Sequence, residues 1–221
     1  MCYSEKASIN AFIVGMVSSL LLYKESINSG KKYKLFQKLA LFFAFVTVMQ
    51  IYDAIFWKSL KDNNGENKIN FIFTKIAMIT NHLQPIVLAF LIGSLFLLND
   101  LSKMMLYIYI IVVGIYSIIA FNKISYTQVS KTSAPALHWQ WNTLDLENSI
   151  INPTFVYTLF LMTICVICLQ LPNPISYIII FINLFTFFFS KFNYKNTEIG
   201  RMWCHIAAYT PVFLLLLQKF I

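Results

Sequence analysis

The chain has 221 residues and a formal net charge of +8; 58% of its residues are hydrophobic, 17% aromatic and only 12% charged. Soluble domains carry about 25% charged residues, so a cytosolic enzyme, a secreted disulfide scaffold and a nucleic-acid-binding domain all fit poorly, and the lipid bilayer is the expected environment and partner. At about 20 residues per spanning helix the expected fold is all-α, a polytopic membrane protein with seven transmembrane helices in one bundle over residues 1–221.

In chain order, the opening MCYSEKASINAF has no leading basic region and no cleavage site, so about 4–23 reads as a retained first span. Removal of Met1 would leave an amine and a thiol on Cys2. The second span, about 35–57, carries Gln50, Asp53 and Trp57 at spacings of three and four, which places them on one helix face. An ionisable group inside lipid is costly unless it meets a partner or a cavity. Lys75, at a similar depth in the third span (about 69–98), is the expected partner of Asp53. His82 lies on the same side as Lys75, seven residues or about 10 Å deeper. These residues read either as the polar wall of an internal pocket or as a structural ion pair above a hydrogen-bonded histidine. Pro85, in NHLQP, supplies a cause for a kink.

The fourth span, about 103–121, precedes the one long connection, 122–152. Its HWQW segment, with Leu137 and Leu144 nearby, reads either as a short amphipathic lid in the head-group layer or as part of a solvated loop. The fifth span, about 153–171, ends in CVIC; Cys165 and Cys168 have the spacing of a redox dithiol, yet Cys2 and Cys204 fall on the opposite face, so small apolar filling is expected. LPNP at 171–174 reads as a tight turn into span six, about 174–190.

Span seven, about 200–219, opens with GRMWCHIAAYTP, placing Arg201, Cys204 and His205 at i, i+3 and i+4 on one side of a helix. Arg201 is the single arginine beside sixteen lysines, and its planar fork suits a carboxylate or phosphate. Its partner is either Glu5, a loop acid (Asp145 or Glu147), or an anionic head group.

Counting reversals places His82, His138, His205 and all four tryptophans in the half of the molecule that holds the N-terminus. The lysines Lys24, Lys31, Lys32, Lys34 and Lys38 crowd the opposite face around the first hairpin, which favours a cytoplasmic C-terminus. The expected function is therefore a polar pocket near the N-terminal face for an anionic or amphiphilic small molecule. Its expected ligands are Arg201, His82, Asp53, Lys75, His205, Glu5, Trp57 and Trp203. A metal alternative draws on Cys2, Cys204, His205 and His82 as a sulfur and nitrogen set for zinc or copper. With zinc, Asp53 or Glu5 would serve as base in an intramembrane lipid amidase or hydrolase. A small-solute transporter is the third class; beyond Asn183, however, the second half supplies few polar groups for a path.

The opening M-C-Y-S, the D-A-I-F-W of span two, the N-H-L-Q-P of span three and the late G-R-M-W-C-H together resemble a poorly characterised family of small seven-span membrane proteins. That resemblance covers nearly the whole chain and implies its fold. A broader likeness is to the alkaline-ceramidase and adiponectin-receptor group. It implies a zinc site in which Asp53, His82 and His205, with Ser4 or Ser8, would take part, although the paired H-x-x-x-H of the late spans is missing here.

Overall fold

The structure, a computed structural model, describes the chain apart from residues 1–3, 28–29, 62–65, 130–136, 143–150, 194–198 and 221, and apart from the side chains of 30–32, 129, 191, 193 and 199–201. It is all-helical. The helices are α1 (Glu5–Ile27), α2 (Gly30–Lys61), α3 (Lys68–Gly93), α4 (Asp100–Lys123), α5 (Pro153–Cys168), α6 (Asn173–Asn193), α7 (Ile199–Ala207) and α8 (Thr210–Gln218). Between α4 and α5 lie a two-residue antiparallel ladder, β1 (Gln128–Val129) with β2 (Leu137–His138), and a 3₁₀ turn at Gln140–Asn142. Among the described residues five helices, α1 to α4 and α6, are long and apolar enough to cross a membrane; α5 and the stretch Met202–Gln218 are apolar but shorter. The long apolar helices fit an integral membrane protein, because a helix pairs its own backbone groups where no water can.

Helix starts follow the side chains that can receive orphan amides. Ser4 Oγ accepts the Ala7 amide at 3.1 Å, Asn67 that of Asn70 at 2.9 Å, Asn99 that of Ser102 at 2.8 Å and Asn152 that of Phe155 at 2.9 Å. Each such cap contributes about 1 kcal/mol. Two elements depart from the expected boundaries. Span three ends at Gly93 rather than 98, because Ser94 donates its amide back to Phe90 and Ile92 while Asn99 already opens α4. The expected turn at 171–174 is displaced: Asn173 and Pro174 form the first turn of α6, where a proline loses nothing.

Proline acts differently at its two internal positions. The helix α3 continues through Pro85, whereas the last apolar stretch breaks at Ala208–Tyr209 into α7 and α8. Pro211 lacks the amide that would reach back to the carbonyl of Ala207, and it sits in the first turn of α8, where none is required.

At the centre is α2, which packs against α1, α3, α7, α8 and both strands. Its buried face includes Leu39, Phe43, Val46, Met49, Asp53 and Phe56. On α1 the buried residues are mostly small: Ser8, Ala11, Gly15, Ser18, Ser19 and Ser26. They let two backbones approach closely. A Cβ on Gly15 would stand 2.6 Å from the Ala208 carbonyl oxygen and 2.6 Å from Thr47 Oγ1, so only glycine fits this crossing. The opposite surfaces of α4 and α6 are apolar and exposed, with Ile111, Ile118, Phe181 and Phe192 among the most open. Exposed apolar area on this scale suits lipid rather than water.

Candidate functional site

At the end of the bundle where α1 and α3 begin, polar side chains join neighbouring elements. The start of α1 meets the end of α2 where Lys61 Nζ donates to Glu5 Oε2 at 2.6 Å. The start of α3 meets the segment after α4 through Asn70 and Thr74. Asn70 Nδ2 donates to the Thr127 carbonyl at 2.9 Å, the Thr127 amide donates to Asn70 Oδ1 at 2.9 Å, and the two threonine hydroxyls lie 3.0 Å apart. The strand β1 that follows Thr127 pairs with β2, and beyond β2 the side chains of Trp139, Trp141 and Asn142 are buried.

That segment brings two indoles into the core. Trp139 and Trp141 stack with centroids 4.9 Å apart, and both are essentially without exposure. Trp139 Nε1 donates to Asp53 Oδ1 at 2.7 Å, which supplies the buried carboxylate with a strong donor. Trp141 Nε1 donates to Tyr157 Oη at 2.9 Å, and its carbonyl accepts the Tyr116 hydroxyl. The Tyr157 hydroxyl in turn donates to Asn81 Oδ1. From there Asn81 Nδ2 donates to Cys204 Sγ at 3.2 Å, Gln84 Nε2 donates to the same sulfur at 3.4 Å, and Trp203 Nε1 donates to Gln84 Oε1 at 2.8 Å. The thiol is thus held between two carboxamides within a hydrogen-bonded network that ties α3, α5, α7 and the segment after β2 together. Burying so many polar groups is tolerable because they answer one another.

Outside this network, α1 and α2 part to form a cleft. Its deep compartment, about 200 Å³, is lined by Glu5, Ile9, Phe12, Gln50, Ile51, Ala54, Ile55 and Lys58. An adjoining outer compartment of about 460 Å³ shares Glu5 and Ile9 and adds Ser4, Lys6, Trp57 and Lys61. The walls are therefore apolar below and charged at the mouth, with three lysines against one carboxylate among the described residues. At the bottom, Gln50 Oε1 and His205 Nδ1 lie 3.3 Å apart, and the His205 ring stands edge-on to Tyr209 at 5.6 Å.

The expected site residues divide between these two regions. Glu5 and Trp57 line the cleft, and His205 reaches it through Gln50. Asp53 and Trp203 belong to the interior network instead. His82 faces α4: its Nδ1 lies 2.8 Å from Ser117 Oγ and its ring packs on Tyr116 and Tyr157. The expected pairing of Lys75 with Asp53 is replaced. Lys75 Nζ sits 4.5 Å and 4.2 Å from the ring centroids of Phe71 and Phe121, a cation over two aromatic faces on a different side of α3. Glu5 takes Lys61 as its partner. Trp139 and Trp141, expected in the head-group layer, are buried instead, where their N–H groups find buried acceptors; residues 130–136 and 143–150 of the expected lid fall outside the described residues.

Arg201 lies on α7, but its side chain, like Cys2, Asp145 and Glu147, falls outside the described residues. The metal set does not assemble from its other members. Cys204 points at two amides, His205 at Gln50 and His82 at Ser117, and among the described residues no three His, Cys, Asp or Glu side chains converge to hold an ion. The described members of the hydrolase constellation are likewise divided between the cleft and the interior.

Three residues of the network, Asn81, Gln84 and Tyr157, are not singled out by the sequence pattern, although α3 carries a signal for two of them. Its buried positions Asn70, Thr74, Ala77, Asn81, Gln84 and Leu88 recur at spacings of three and four, a polar stripe along one face of an apolar helix. No protein-family model, curated protein or solved structure matches the chain.

Proposed function

We propose that this is a seven-span membrane protein, with α5 and the broken α7–α8 stretch as its two short spans, that binds an anionic amphiphile in the cleft between α1 and α2. The observation that carries the reading is the polarity of the cleft. Lys6, Lys58 and Lys61 surround its mouth, while Ile9, Phe12, Ile51 and Ile55 line its depth. A head group placed among the lysines would leave its chain against apolar walls and Trp57. The capped N-terminus of α1 at Ser4 adds a favourable field for negative charge. Seven spans place the two termini on opposite faces, and the lysine-rich first hairpin favours a cytoplasmic C-terminus.

Trp57 makes the reading testable, because it is half-buried at the cleft while Trp139, Trp141 and Trp203 are sealed in the core. A dibrominated eighteen-carbon fatty acid should quench tryptophan emission of the purified protein. Trp57→Phe should remove most of the quenchable signal, and Lys58→Gln with Lys61→Gln should weaken binding about tenfold. Lys75→Met should leave it unchanged, since that cation lies over Phe71 and Phe121. Quenching that persists in Trp57→Phe, or is matched by the brominated alcohol, would defeat the proposal.

A further inference from the structure

We infer, resting on the cleft reading above, that the bound amphiphile carries a hydroxyl partway along its chain and that Gln50 receives it. Gln50 lines the deep compartment and has no exposure. Its Oε1 is engaged by His205, but its Nε2 has no partner among the described residues. A buried amide N–H left unpaired is costly, and the surrounding Ile9, Phe12, Ile51 and Ile55 side chains offer nothing to accept it. A plain hydrocarbon chain would fill the same space and leave the donor orphaned. A hydroxyl at that depth accepts the N–H and removes the penalty.

The helix sets the distance. Gln50 precedes Lys58 by eight residues on α2, so its Cα lies about 12 Å below that of Lys58 along the helix axis. A diacyl phospholipid holds its ester oxygens close to its phosphate and so does not reach this depth with an acceptor. An unbranched acid hydroxylated near its middle does. The other buried side-chain atoms without a partner among the described residues, such as His82 Nε2 and both polar atoms of Asn142, belong to residues that do not line this cleft.

The test compares three probes on the unaltered full-length protein in neutral detergent: octadecanoate, 2-hydroxyoctadecanoate and 10-hydroxyoctadecanoate, each displacing the dibrominated acid. The 10-hydroxy acid should bind about fivefold more tightly than octadecanoate, and the 2-hydroxy acid no more tightly. In Gln50→Leu the advantage of the 10-hydroxy acid should vanish while octadecanoate is retained. Equal affinity for all three acids in the wild type would overturn the inference and leave the amphiphile cleft standing. Failure of all three to bind would overturn both. Because His205 leans on the same amide, the wild-type comparison decides the matter even if Gln50→Leu fails to fold.

Discussion

The crossing at Gly15 offers a quantitative test of how the cleft is built. Replacing Gly15 with alanine puts a methyl group 2.6 Å from the Ala208 carbonyl oxygen and within 2.8 Å of two Thr47 side-chain atoms. Thr47 can rotate, but the carbonyl belongs to the turn between α7 and α8 and cannot swing aside without moving that turn. Overpacking of this kind costs about 1–3 kcal/mol, set against a gain of about 1 kcal/mol from replacing glycine inside a helix. Gly114, in the middle of α4, has nothing within 4 Å of the point where a Cβ would stand, so Gly114→Ala collects the helical gain without a clash. The two variants should therefore differ in stability by about 1–3 kcal/mol, with Gly15→Ala the weaker, measured by thermal or denaturant unfolding in the same detergent. Since Phe12 and Ile9 lie one turn and more above Gly15 on α1, displacing the helix should also loosen amphiphile binding. Equal stability of the two alanine variants would refute the close approach of α1 to the α7–α8 turn.

Trp139→Phe keeps most of the stacked ring but removes the donor to Asp53; it should destabilise the protein by about 1.5–3 kcal/mol, and the loss should shrink when Asp53 is also Asn in a double-mutant unfolding cycle. Cys204 has no exposure and its sulfur is claimed by Asn81 and Gln84, so a maleimide should label Cys165 well before Cys204 in the folded protein; the reverse order, read by peptide mass, would contradict the network. Cys204→Ala should lower stability by about 1–3 kcal/mol, because it strands two buried amide donors.

Much of the architecture is legible in the chain itself, because lipid imposes a length, an apolar composition and internal backbone pairing on every span. The apolar runs, the asparagine caps at Asn67, Asn99 and Asn152, and the need for Asp53 to find a partner all follow from local chemistry. Which partner it finds does not. Lys75 sits at a suitable depth by counting residues, yet depth says nothing about rotation, and the register of α3 turns that cation toward Phe71 and Phe121. Asp53 is answered instead by Trp139, 86 positions away in sequence, on a segment whose own composition reads equally well as a surface lid. Hydrophobic period and charge are properties of single elements and can be read from the chain. The pairing of Trp139 with Asp53, of Cys204 with Asn81 and Gln84, and the parting of α1 from α2 above Gly15 depend on how the elements rotate and cross when packed together, and only the assembled bundle sets that.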